Sequence, residues 1–205
     1  MNVYFQLIVC LLLLQGTSGI KARDFHWGWK ESQNLFSAYS LRNSRMSKPE
    51  KAVLAKAIEA QIRPGMWALG IKSENQLVQA ALNASVEMIN LNQGGGPEVV
   101  AQVQGFCSVD GNCDLWFFQK TPRGYKLLID AIGQSFTVQK TSTNGFWDIV
   151  VAMHGSATDQ WLKVYRYTRG RYWRSACYDA DWAPLENGIV HQLKEPRITP
   201  SSCGK

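Results

Sequence analysis

The sequence predicts an α+β fold, with N-terminal helices packed on an antiparallel β domain built of two four-stranded meander repeats. The first observation behind this is an internal echo. Ser85 to Ala101 (SVEMINLNQGGGPEVVA) aligns without a gap on Ser135 to Val151 (SFTVQKTSTNGFWDIVV), fifty residues later. Gly95 falls on Gly145, Glu98 on Asp148 and Val100 on Val150. After a three-residue slip the match resumes, with Leu115 on Leu162, Phe118 on Tyr165 and Tyr125 on Tyr172. A period of this length suits a four-stranded supersecondary unit. The second observation is a change of hydrophobic period, helical before residue 84 and strand-like from Ser85. The third is the spacing of turn residues, which leaves short links and so implies antiparallel neighbours.

Residues 1–22 read as a signal peptide. Phe5 to Leu14 (FQLIVCLLLL) is an apolar run too short to span a bilayer. The small and polar stretch Gln15 to Gly19 follows it, and cleavage is expected near Gly19 or Ala22. No transmembrane segment remains after cleavage, so the expected location is secreted or periplasmic. Hydrophobic content of 45% and aromatic content of 11% suit a packed core and exclude a disordered chain. The formal charge of +6 permits attraction to an anionic polymer or surface, and by itself names no partner.

Residues 23–84 are expected to form an N-terminal helical region. Its first part carries His26, Trp27 and Trp29 without a sustained period and reads as a lead segment tucked by its tryptophans. Ser47-Lys48-Pro49-Glu50 is a capping box. Val53, Leu54, Ala57, Ile58 and Ile62 then recur at helical spacing, and Pro64-Gly65 ends the helix. Ser73 and Gln76 open a second, shorter helix ending near Asn83, with Leu77, Ala80, Ala81 and Ala84 on one face.

The β domain is expected over 85–183. Its strands are placed at 85–91, 98–105, 113–120 and 124–130 in the first repeat. In the second they are placed at 135–141, 147–154, 160–168 and 171–178. Asp110-Gly111-Asn112, Thr121-Pro122-Arg123-Gly124, Asn144-Gly145 and Arg169-Gly170 supply turns. Residues 184–205 contain Pro184, Pro196 and Pro200 and are expected to be an irregular tail.

Cys107, Cys113, Cys177 and Cys203 lie beyond the leader, an even number in a chain bound for an oxidising compartment. Cys107 and Cys113 bracket SVDGN, so a cross-strand disulfide is expected, and Cys177 with Cys203 would pin the tail. Metal binding is the competing reading. It fits poorly, because neither spacing is C-x-x-C and no histidine lies close in sequence.

At INLNQGGGPEVVA the chain resembles the loop of FG-GAP-type, integrin-like propeller repeats. That resemblance implies calcium ligands at Asn90, Asn92, Gly94 and Glu98, and at Lys140, Ser142, Asn144 and Asp148 in the second copy. The first loop keeps one acid and the second places a lysine at the leading position, against the several carboxylates calcium favours. No metal and no cofactor is therefore expected. Gly95 and Gly145 are expected instead to supply positive φ, and Glu98 and Asp148 to anchor their loops by accepting hydrogen bonds from loop amides. Two such repeats cannot close a propeller, so they must pack face to face or join into one curved sheet. The strands after Ser85 also resemble a group of uncharacterised secreted bacterial proteins, which implies export and no particular activity.

Two constellations bear on chemistry. His154, Ser156 and Asp159 are the residue types of a nucleophilic triad, but three residues so close on one hairpin loop seldom converge. Trp161, Lys163, Tyr165, Tyr167, Arg171 and Trp173 interleave aromatics with cations, as sugar-binding surfaces do. The competing reading is a solvated strand face. Export argues against nucleic acid as partner. Asn83-Ala84-Ser85 is an N-glycosylation sequon, which has meaning in a eukaryotic secretory pathway. The expected function is that of an exported, non-enzymatic binding or interaction module for a cell-surface or extracellular polymer. The alternative is an exported hydrolase acting on such a polymer through the His154 loop or the two repeat acids.

Overall fold

Ser47 starts the first helix by accepting the Glu50 amide on its hydroxyl at 3.4 Å, with Pro49 in the first turn, and α1 runs Lys48–Ile62. The computed structural model describes Leu35 and residues 38–203, so the leader and the His26 to Trp29 segment lie outside the described residues. The Glu50 side chain does not close the capping box. It turns to the sheet, where its carboxylate accepts from Lys120 Nζ at 2.6 Å and Tyr125 Oη at 3.2 Å. In α2, Glu74–Leu82, the Ser73 hydroxyl accepts the Gln76 amide at 3.3 Å, while the Gln76 side chain accepts from Lys72 N rather than Ser73.

From Ser85 the chain is a run of antiparallel hairpins. β1 (Tyr39–Ser40) precedes the helices, and β2 (Ser85–Ile89), β3 (Glu98–Cys107), β4 (Cys113–Thr121) and β5 (Gly124–Gly133) follow them. These five strands form one sheet in the order β1-β2-β3-β4-β5. β6 (Ser135–Thr143), β7 (Phe146–His154), β8 (Asp159–Thr168) and β9 (Arg171–Asp181) form the second meander. A hairpin of β10 (Leu185–Glu186) and β11 (Ile189–Val190) follows, and β12 (Arg197–Ser201) completes the second sheet in the order β12-β9-β8-β7-β6. The expectation of an irregular tail is therefore corrected: residues 197–201 pair along β9, from Arg197 opposite Asp181 to Ser201 opposite Cys177. Pro200 is tolerated there because β12 is an edge strand. Each meander gains one added strand, β1 beside the first strand of its repeat and β12 beside the last.

Only Gln134 separates the two sheets. Its amide donates to Ala152 O at 2.7 Å, and a Cβ on Gly133 would lie 2.3 Å from Val151 Cγ1, so the corner requires glycine. The sheets then pack face to face. Val100, Leu115, Phe117, Ile129 and Ala131 of the first sheet meet Phe136, Ile149, Val151, Tyr165 and Tyr172 of the second. Phe117 and Phe136 meet edge to face at 5.1 Å between ring centroids.

The two repeats stack in the same sense. Val86, Val99, Phe118 and Tyr125 face the helices, together with Leu54, Ile58, Ile62 and Leu77. Their equivalents Phe136, Ile149, Tyr165 and Tyr172 face the first sheet. Leu115 and Phe117 look from the first sheet into the shared core, and their equivalents Leu162 and Val164 look to the far side of the second sheet. The helices thus occupy, against the first repeat, the place that the first repeat occupies against the second.

Both expected cysteine pairs are disulfides. Cys107 and Cys113 are register partners of β3 and β4, with Cα atoms 3.8 Å apart. Cys177 and Cys203 have Cα atoms 5.0 Å apart and stitch the chain beyond β12 to β9. Such bonds fit an oxidising compartment. Among the described residues no helix is long and apolar enough to cross a membrane.

Candidate functional site

The first loop, between β2 and β3, closes on Glu98. This carboxylate is 0% exposed and accepts from the Leu91 amide at 2.7 Å and from the Asn92 side-chain nitrogen. Asn92 Oδ1 in turn accepts the Gly94 amide at 3.2 Å, and Asn90 Oδ1 accepts the Asn92 amide at 3.2 Å. Gly95 does not have the positive φ expected of it. Its glycine is needed for another reason: a Cβ there would stand 2.2 Å from Asn92 Oδ1, so its absence makes room for the amide that reaches Glu98.

The second loop, between β6 and β7, closes on Asp148, which is 2% exposed. The expectation that loop amides hold this acid is corrected. Thr141 Oγ1 donates at 2.8 Å and Thr143 Oγ1 at 2.7 Å, and Arg166 Nε stands 3.6 Å away. Asn144 and Gly145 make the turn with φ of 52° and 80°, the left-handed pair of a tight hairpin. The loops also touch. Trp147 N donates to Leu91 O at 2.8 Å and Gln93 N to Gly145 O at 3.2 Å. Tyr172 donates its hydroxyl to Trp147 O at 2.7 Å. Burial first, then the charges of Glu98 and Asp148, push the Tyr172 hydroxyl well above its ordinary pKa.

These residues do not fit the calcium site that the FG-GAP resemblance implies. The oxygens of Asn90, Asn92 and Glu98 turn onto the loop's own N–H groups, and Arg166 and the threonine hydroxyls serve Asp148. Among the described residues no three His, Cys, Asp or Glu side chains gather as a metal set.

The aromatic and basic set does not form one platform. Alternation does place Trp161, Lys163, Tyr165 and Tyr167 on the face of β8 that looks to the first sheet. That face is where the sheets meet, so Tyr165 is buried and Tyr167 stacks on Phe146 at 3.7 Å. Lys163 is half-buried, and desolvation with the neighbouring Arg174 pushes its ammonium below the usual lysine range. Trp173 pairs opposite Arg166 on the other face, 46% exposed, with the Arg171 guanidinium 3.5 Å over its ring. His154, Ser156 and Asp159 form a turn rather than a triad. Ser156 Oγ donates to Asp159 Oδ2 at 2.7 Å, and His154 takes part through its backbone, clasped by the Asn112 amide.

One concavity among the described residues draws on none of these side chains. It is a groove of about 630 Å³ between the start of α1, the edge strand β1 and its neighbour β2. Tyr39, Met46, Val86 and Met88 give it apolar walls, and Arg45, Glu50 and Glu87 add charge. Tyr39 is 75% exposed and Met88 48%. Sequence reasoning missed it because the walls come from three separate segments and β1 is only two residues long. The one available signal was Met88, an apolar residue at an outward strand position.

Compared with known protein families, with curated proteins and with solved structures, the chain matches none of them.

Proposed function

We propose that the protein is an exported, non-enzymatic binding module whose ligand is an extracellular or cell-surface polymer, of sugar or anionic character. The observation that carries this reading is the groove between α1 and β2, open and walled by both apolar and charged side chains. An exposed tyrosine ring beside arginine and carboxylate groups suits a sugar ring or an extended polar chain better than a small buried ligand. A second patch, Trp173 under Arg171, adds an aromatic surface on the far side of the second sheet. The residues that the sequence offered for hydrolysis are engaged otherwise: Glu98 and Asp148 hold loops, and Ser156 and Asp159 hold a turn. The two disulfides support action outside the cytoplasm, in a secreted or periplasmic setting. The loop geometry is offered as a degenerate FG-GAP-type repeat in which protein groups satisfy the acids.

The test is a screen of the purified protein on glycan and peptidoglycan arrays, followed by affinity measurement for whatever is retained. The expected result is binding that falls at least about tenfold, roughly 1.4 kcal/mol, in Tyr39→Ala and is unchanged in Trp173→Ala. The reverse pattern would move the site to the Trp173 patch. Release of cleaved products from an array polymer would overturn the non-enzymatic reading.

A further inference from the structure

The sequon Asn83-Ala84-Ser85 lies where α2 gives way to β2, and its asparagine is placed as a glycan acceptor must be. Asn83 is the C-cap of α2, with its backbone N–H on Gln79 O at 3.0 Å, and the residue is exposed. Its side-chain oxygen accepts from Arg42 Nε at 3.3 Å, and the same guanidinium donates to Gln79 Oε1. A guanidinium has no acceptor, so the amide atom facing it must be Oδ1. This fixes the flip of the carboxamide and leaves Nδ2, which makes no hydrogen bond to the described residues, on an exposed side chain. A substituent on Nδ2 therefore leaves the Arg42 bond and the helix cap in place. No other asparagine of the chain is followed by the x-Ser or x-Thr pattern.

We propose that Asn83 carries an N-linked oligosaccharide in the exported protein. The donor is a lipid pyrophosphate-linked oligosaccharide of the secretory membrane. Nδ2 forms a bond to the anomeric carbon of the first sugar, and the bond from that carbon to the pyrophosphate oxygen breaks. The electron pair leaves on the lipid pyrophosphate, and Nδ2 gives up one proton. Ser85, whose hydroxyl the transferase must read, is 8% exposed in the fold, and its backbone is paired with Ser40 and Gln102. Transfer therefore precedes the pairing of β2, while the sequon is still extended. The finished protein keeps the glycan because Asn83, unlike Ser85, stays at the surface.

The experiment is peptide mapping of the protein recovered from the secretions of the organism that encodes it. In parallel, the full chain is secreted from cultured eukaryotic cells behind a leader of established function. The expected result is a glycan on the Asn83 peptide in both, released by an amidase that converts Asn83 to Asp. The glycan should vanish completely in N83Q and S85A and persist in S85T. An unmodified Asn83 peptide from the native secretions overturns the proposal. So does an unmodified peptide from the leader-directed chain, since delivery is then assured, and so does a glycan that survives in S85A. Because the decisive reading is on the wild-type peptide, poor folding of a variant does not blur the outcome.

Discussion

Glu98 and Asp148 stand at equivalent points of the two repeats, yet they are held by different chemistry. Glu98 is met by a backbone amide and a side-chain amide, donors fixed in direction. Asp148 is met by two threonine hydroxyls that rotate about their C–O bonds, with Arg166 nearby. The repeat preserves the position of a buried acid and the turn it closes, while the donors around it have changed completely. A second contrast follows from the stacking. The first repeat rests on helices and is tied to them by Glu50, through Lys120 and Tyr125. At the equivalent positions of the second repeat, Tyr167 and Tyr172 meet edge to face with ring centroids 5.4 Å apart. What an equivalent residue does is set by the layer its sheet faces.

The severest way to break the comparison is to remove the layer that both repeats share. Phe117→Ala should cost about 3–5 kcal/mol, read as a large fall in melting temperature with a single transition. Two separate transitions would mean that the repeats are independent, contrary to their common core. Next comes Glu98→Gln. The glutamine amide presents one oxygen to two donors, and the fixed Leu91 N–H or the Asn92 amide is left facing an NH₂ group. A loss of about 2–3 kcal/mol is expected for a buried, unsatisfied donor. Added calcium should leave the wild-type melt unchanged. A rise that Glu98→Gln abolishes would restore the metal reading.

Asp148→Asn should cost less, about 1 kcal/mol, because a threonine hydroxyl can turn and accept from the new NH₂ group. Equal or larger loss in Asp148→Asn than in Glu98→Gln, in parallel denaturant titrations, would sink the distinction between fixed and rotating donors. The smallest effect is expected at the helix tie. The hydrogen bond from Lys120 holds the Glu50 carboxyl below its ordinary value of 4.5, burial opposing. A depressed carboxyl stabilises the fold above the unfolded value, and that share is lost as pH falls through the folded one. Glu50→Gln should therefore lower stability by roughly 0.5 kcal/mol at neutral pH and by nothing once the wild-type acid is protonated. Stability curves of the two proteins that stay parallel from pH 7 to about pH 3 would show that Glu50 contributes no such share.

Much of this architecture is legible in the sequence because its signals are local. Ser47 and Ser73 mark helix starts through hydroxyls that reach an amide three residues on. Asn144-Gly145 forces a hairpin by its backbone preference, and the cysteines around SVDGN bracket a turn. The added strands were hidden because β1 is two residues long and β12 contains a proline, so neither shows a period. The burial of part of the aromatic set was not legible, because alternation tells which residues share a face and not whether another sheet lies on it. Tyr165 and Tyr167 fall on the covered face. The reason for Gly95 was out of reach for the same cause: it is a distance to the Asn92 side chain, not a backbone preference. The groove depends on segments that meet only in space.

The pairing of β12 with β9, closed by Cys177–Cys203, has a consequence for how the chain survives cutting. Between the two strands runs the β10–β11 hairpin, whose Leu185, Ile189 and Val190 are exposed around the tight turn Asn187-Gly188. A protease that enters there severs the backbone without releasing the C-terminal piece, which stays registered on β9 and covalently fastened to it. The nicked molecule should run as one species on a gel without reductant and as two with it. The second sheet thus keeps its edge strand even after this exposed turn has been cleaved.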